Sequence, residues 1–411
     1  MTRVLEDLAV LNRAQWATFL ATWLGWTLDA FDFFLMAFML GAIEREFHAP
    51  PGAGALAIGV TLMARPFGAY FFGWLADKFG RQPILMIDIL LFSGFELASA
   101  FAPSLATFLV LRACFGFAMG GEWGIGASLV MESIPARSRG TVSGVLQQGY
   151  PLGYLFASLV YWLVFEKYGW RGMFIVGTAP ALLVLFIRFY VKESPVWEAQ
   201  HRQSPSPHLL GALARNWKMF FYVILLMTAF NFFSHGTQDL YPHFLQEQRK
   251  LSKDWVSGIL VVMNIGAMIG GFVFGAWSQQ AGRRRAIITA ALLAIPILPL
   301  WAFATTPLFI GLGAFLLQIA VQGAWGVIPA HLNELSPPEV RGTFPGFTYQ
   351  VGNFIASSNA AIQTALALKY GGNYGAAFAI VLACAALAIA LIAAAGPEKR
   401  ESILGGEASR I

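Results

Sequence analysis

Charge is scarce in this sequence. Lys, Arg, Asp and Glu make up 12% of its 411 residues, roughly half the share of an ordinary soluble domain. Hydrophobic residues make up 57%. A soluble fold of this length has no single core able to hide so much apolar surface. A cytosolic enzyme and a disordered chain are thereby excluded. Cysteine is nearly absent. The two present, Cys114 and Cys384, sit inside apolar segments and read as small hydrophobes in separate helices. That excludes a secreted disulfide scaffold. There is no Gly-x-x-x-x-Gly-Lys-Ser/Thr run, hence no internal ATP motor. No Ser–His–Asp arrangement in a hydrolase context and no clustered metal ligands occur. The expectation is a non-enzyme without cofactor or metal. A polytopic membrane protein is the class left.

Twelve spans of about 20 apolar residues or more can be drawn. They cover approximately 16–43, 54–76, 83–101, 105–131, 140–165, 172–191, 218–241, 255–278, 286–303, 307–331, 342–366 and 374–395. They are numbered helix 1 to helix 12 below. Only helices or closed barrels satisfy the backbone in lipid, and the alternating ten-residue strands of a barrel are missing. The first span is too long for a signal-peptide core and carries two aspartates, so no cleavage is expected.

The net charge of +5 could suggest nucleic acid in a soluble protein. Its distribution points elsewhere. With both termini in the cytoplasm, the inside segments hold 18 Lys and Arg, among them Arg137, Arg283, Lys399, Arg400 and Arg410, against 7 outside. This bias predicts cytoplasmic termini and no nucleic-acid partner. The longest polar stretch, 192–217, contains Ser204-Pro205-Ser206-Pro207. It separates an N-terminal six-helix bundle, 1–191, from a C-terminal one, 218–411.

The two halves repeat. Sliding the chain by 202 residues superposes fifteen identities without a gap. Gly73, Gly80 and Arg81 fall on Gly275, Gly282 and Arg283; Trp123 and Gly124 fall on Trp325 and Gly326. Glu132, Pro135, Arg139, Gly140, Thr141, Gly144 and Gln148 fall on Glu334, Pro337, Arg341, Gly342, Thr343, Gly346 and Gln350. Lys167, Tyr168 and Gly169 complete the set. Six helices per half preserve orientation, so the repeats are parallel, with a site expected between them at mid-membrane.

The segment Gly73-Trp-Leu-Ala-Asp77-Lys-Phe-Gly80-Arg81 resembles the loop 2–3 signature of the major facilitator superfamily. Its second copy, Gly275 to Arg283, carries Gln279 in place of the aspartate. The resemblance implies an all-α membrane protein of twelve transmembrane helices in two parallel six-helix repeats. Asn231-Phe-Phe-Ser234-His235-Gly-Thr-Gln238-Asp239 on helix 7 resembles the lactate/pyruvate permeases of the sialate:proton symporter family. His243 stands where that pattern has threonine. Helix 1, Gly25-Trp-Thr-Leu-Asp29-Ala-Phe-Asp32, is similar to the same family. The function implied is proton-coupled symport of a small monocarboxylate.

A charge at a helix centre costs about 2.5–3.5 kcal/mol on insertion scales, so each calls for a partner or a task. Asp29 and Asp32, three apart on helix 1, are read as sharing a face. Arg65 lies mid-helix 2. It either pairs with those aspartates or, as the resemblance implies, binds a substrate carboxylate through its bidentate fork. On helix 7, Asn231, His235 and Asp239 recur every four residues, with Ser234 and Gln238 alongside. A histidine beside a carboxylate can exchange a proton near neutral pH. Substrate binding is therefore assigned to Arg65, Asn231, His235 and Gln238, and proton coupling to Asp239, Asp29, Asp32 and Glu122. Glu122 becomes Ala324 in the repeat and could instead make a structural hydrogen bond. Asp88 and Glu96 read as structural. Asp77, Arg81 and Arg139 form the expected cytoplasmic gate, with Asp77 meeting Arg139 or a helix end, and Glu132 and Glu334 nearby. The expected partners are a small organic acid, a proton and the lipid bilayer, with function as a monomer in the inner membrane. A carrier for a larger acid such as sialate, a membrane receptor and a passive channel are the rival readings.

Overall fold

The structure, a computed structural model, describes residues 2–49, 53–203 and 209–400. The Ser204–Pro207 run and Arg410 lie outside them. All regular structure among the described residues is helical. Ten stretches are long and apolar enough to cross a membrane. One of them, Ala136–Tyr190, runs 55 residues and holds both the fifth and sixth predicted spans. They divide at Gly169, whose φ of 62° interrupts the helix. The eleventh span is split into Phe344–Ala356 and Asn359–Lys369, each too short to cross alone. Twelve crossings result, as the sequence predicts.

Helix 1 is Arg13–Glu46, opened by a capping box in which Asn12 and Gln15 satisfy each other's backbone N–H. Helices 2 and 3 are Ala53–Phe79 and Arg81–Ala100. Helix 4 runs as Leu105–Met119 and Glu122–Ser133. Helix 5 begins as Arg139–Leu146 and resumes at Gly149, and helix 6 ends with Pro180–Tyr190. In the second half, helix 7 is Trp217–Gln238, helix 8 Lys253–Ala281 and helix 9 Arg283–Phe303. Helix 10 runs as Pro307–Trp325 and Ile328–Leu335, and helix 12 is Tyr374–Ala395.

The sequence repeat is also a backbone repeat. Gly80 and Gly282, 202 apart, turn the chain between consecutive helices at φ of 106° and 97°. Such values are open to glycine and strained for other residues. Gly169 and Gly371 repeat the pattern at 62° and 67°. Close packing repeats too. Gly68 lies directly on the backbone carbonyl of Phe117, and 202 residues later Gly270 lies on that of Ile319. Without a hydrophobic drive between helices in lipid, such close backbone approach is what holds them together.

The two bundles meet at the end that carries both termini. There, a Cβ on Gly124 would come 2.5 Å from the Cα of Gly346, and one on Gly73 would come 2.6 Å from the Cα of Thr343. Ser128 donates to the Arg341 carbonyl and Ser143 to that of Gly326, at 2.8 and 2.7 Å. A larger side chain at Gly124 should wedge this contact open. Gly124→Leu is expected to cut uptake more than tenfold and to raise alkylation of a cysteine placed at Ser128, which is fully buried here. Unchanged labelling with normal uptake would show that the contact is not a moving part.

Candidate functional site

Between the bundles, about halfway along helices 1 and 2 and beside the last two turns of helix 7, lies a cavity of about 560 Å³, open space at its mouth included. Its N-terminal wall carries Asp29, Arg65, Gln147 and Tyr150; its C-terminal wall carries Asn231, Ser234, His235, Gln322 and Asn353. Trp26, Phe33, Trp325 and Tyr349 supply aromatic faces. Trp123 and Tyr349, with rings 4.8 Å apart, lie between the cavity and the closed Gly124–Gly346 contact.

Arg65 is held in this wall by an ion pair, its Nη2 donating to Asp29 Oδ1 at 2.7 Å. The pair uses one edge of each group. Among the described residues, Arg65 Nε and Asp29 Oδ2 are buried without a hydrogen-bond partner. The indole N–H groups of Trp26 and Trp325 are likewise unpartnered. The cavity therefore offers unused donors around one fixed cation, the arrangement a carboxylate requires. Opposite, His235 sits between two oxygen acceptors. Its Nδ1 lies 3.0 Å from Asp239 Oδ1 and its Nε2 lies 2.8 Å from Asn353 Oδ1. An imidazole protonated on both nitrogens satisfies both contacts.

Of the predicted residues, the structure brings Arg65, Asp29, Asn231 and His235 together at the cavity. Gln238 and Asp239 stand one turn away, where helix 7 ends. Gln238 accepts from the Tyr150 hydroxyl at 3.3 Å, bridging the halves, and the Asp239 side chain is 38% exposed. Asp32 and Glu122 do not reach the cavity. Three positions leave Asp29 and Asp32 about 60° apart around the helix, and that angle points Asp32 away from Arg65. It faces Gly177 beside Glu96, next to the Arg112–Glu96 pair at 2.7 Å. Glu122 packs directly against Gly25, behind helix 1. The reading of Asp29 and Asp32 as one face is corrected accordingly.

The gate residues lie at the closed end. Asp77 accepts from the backbone N–H of Gly342 at 2.7 Å, and from the N–H and hydroxyl of Thr343 at 3.0 and 2.6 Å. It thus caps the start of helix 11 in the other bundle, the helix-end alternative rather than Arg139. Arg81 reaches Asp77 and Glu132, each at 3.1 Å. Arg139 donates to the Met131 carbonyl. In the second copy Arg283 pairs with Glu334 at 2.8 Å.

Sequence reasoning missed Gln147, Gln322, Tyr349 and Asn353 as lining residues. The repeat itself holds a signal for some of them. The 202-residue offset places Gln147 on Tyr349, Asp29 on Asn231 and Phe33 on His235. All six line the cavity, so each wall is built from equivalent positions bearing different chemistry.

Two helical bundles closed on each other at one end, around a polar cavity between them, have the architecture of a membrane transporter. The chain belongs to the Major Facilitator Superfamily, whose sequence profile matches residues 22–359. It is similar to the carboxylic acid transporter protein homolog of Saccharomyces cerevisiae, 28% identical over 89% of this chain, which spans 64% of that relative's length. It is also similar to the sialic acid transporter NanX of Escherichia coli, 28% identical over 93% of this chain and 94% of the relative. The solved structure of the proton:xylose symporter XylE shares the fold, with a TM-score of 0.76 at 18% identity, covering 95% of this chain and 98% of that one.

Proposed function

We propose that the protein is a proton-coupled symporter of a small monocarboxylate of the lactate or pyruvate type, working as a monomer in the inner membrane with both termini in the cytoplasm. The observation that carries this reading is the half-used Arg65–Asp29 pair. A substrate carboxylate takes the free edge of the guanidinium and displaces Asp29. Left without its cation in a buried site, Asp29 takes up a proton. One carboxylate and one proton then enter together, and the net charge of the cavity does not change. That condition lets the site cross a low-dielectric barrier.

The likeness to carriers named for carboxylic and sialic acids supports an acid as cargo. The helix 7 signature favours the small monocarboxylate, and its Asn231, Ser234 and His235 line the cavity. In this reading His235 contacts the substrate opposite Arg65. Asp239 holds the imidazole in place, and the primary proton carrier is Asp29. A competition assay on purified protein tests the substrate class. Lactate and pyruvate are expected to displace a bound monocarboxylate at concentrations at least tenfold below sialate. Displacement by sialate alone would assign the carrier to the larger acids.

A further inference from the structure

A second polar cleft opens at the terminus-bearing end of the C-terminal bundle. It encloses about 1520 Å³, open space included, and its lining includes Arg284, Arg285, Ile288, Glu398, Lys399 and Arg400. It shares no residue with the central cavity. The single carboxylate is already engaged, since Glu398 accepts from the backbone N–H of Arg283 at 3.2 Å and of Arg284 at 3.0 Å. Arg284 in turn donates to the carbonyls of Ala393 and Ala394 at the end of helix 12. Arg400 donates to the carbonyl of Gln280 at 2.8 Å. Arg285 and Lys399 are exposed, and among the described residues neither has an ion-pair partner.

The N-terminal bundle is an internal control. There Glu193 holds the backbone N–H groups of Arg81 and Gln82 at 2.9 and 3.1 Å, as Glu398 holds those of Arg283 and Arg284. The 202-residue offset sets Gln82 and Pro83 against Arg284 and Arg285. After Glu193 the chain forms the helix Pro195–Gln203, and Trp197 donates to the Asp77 carbonyl at 2.9 Å. After Glu398 come Lys399 and Arg400 instead. One cradle is thus built twice. After the shared arginine it carries Gln82 and Pro83 in one bundle, and Arg284 and Arg285 beside an open cleft in the other.

The cleft also borders the lipid-facing surface. Successive turns of helix 9 run from Arg285 through Ile288 to Leu292, which is 39% exposed, and helix 12 presents Leu391, 70% exposed. Apolar surface gives way to cations here, as it does at the depth of phospholipid headgroups.

We infer that this cleft binds the headgroup phosphate of an anionic phospholipid, held by Arg285 and Lys399. The test uses the full chain in detergent, equilibrated with phosphatidylglycerol or phosphatidylcholine and examined by native mass spectrometry and thermal unfolding. Wild type should retain phosphatidylglycerol in preference to phosphatidylcholine. Arg285→Ala with Lys399→Ala should weaken retention roughly 30-fold, the effect of two cations near an anionic surface. Arg285→Lys with Lys399→Arg should keep it, which separates lost charge from lost folding. Phosphatidylglycerol should raise the unfolding temperature while millimolar inorganic phosphate leaves it unchanged. Equal retention of the two lipids, or retention unaffected in the double alanine variant, would overturn the proposal. Stabilisation by inorganic phosphate equal to that by the lipid would also overturn it and make the ligand a free anion.

Discussion

Replacing Arg65 by lysine is expected to raise the KM for substrate uptake about 30-fold, with the protein inserted in normal amounts. Lysine keeps the charge, so Asp29 keeps a buried partner and the pair at 2.7 Å has a substitute. What lysine lacks is the planar fork that grips one carboxylate through two parallel hydrogen bonds. A hydrogen bond to a charged group contributes about 1.5–3 kcal/mol, and losing one such bond to the substrate accounts for the predicted change. Arg65→Ala is the harsher variant. It strands Asp29, and breaking a buried pair costs about 3–5 kcal/mol, so insertion and folding should suffer as well as binding. Normal uptake by the lysine variant would reassign Arg65 to a purely structural pair between helices 1 and 2.

The second large effect is expected at Asp29. Asp29→Asn keeps the size of the side chain but cannot exchange a proton at physiological pH. Accumulation of substrate against its gradient should disappear, while counterflow of labelled for unlabelled substrate persists. Substrate and proton act on one switching equilibrium, and a site locked neutral responds only to substrate. Asp239→Asn should weaken binding through His235 and leave accumulation measurable. Asp32→Asn and Glu122→Gln, away from the cavity, should leave the coupling ratio unchanged. Accumulation and counterflow measured on all four variants decide the matter. Loss of accumulation in Asp239→Asn, with Asp29→Asn intact, would place the proton on helix 7.

Much of this was legible in the chain because lipid simplifies the code. Backbone groups must be satisfied within each segment, so twelve apolar runs translate into twelve crossings. The glycines that turn the chain at Gly80 and Gly282 announce themselves by recurring at the same offset. Costly charges mark the site, and Arg65, Asp29 and His235 stand out for that reason. Amides and phenols are less conspicuous, because hydrogen bonds to neighbouring helices readily offset the cost of burying them. Gln147, Tyr349 and Asn353 resemble ordinary packing until the bundles are brought face to face. Spacing along one helix also falls short where angle matters. Asp29 and Asp32 differ by one short rotation, yet one meets Arg65 and the other faces Gly177 and Glu96. Asp77 had two candidate partners in the sequence. The choice of Gly342 and Thr343 depends on how the halves close.

The central claim is the exchange of a substrate carboxylate and a proton at the Arg65–Asp29 pair. The most direct test records proton and substrate fluxes together in proteoliposomes containing the wild-type protein and lactate. One proton should enter per lactate. Accumulation at equilibrium should be about tenfold for each imposed pH unit, the equivalent of about 1.4 kcal/mol. Because the transported pair is neutral, an imposed membrane potential should not change that ratio. Lactate entry without proton movement, or accumulation driven by sodium and indifferent to pH, would contradict the account.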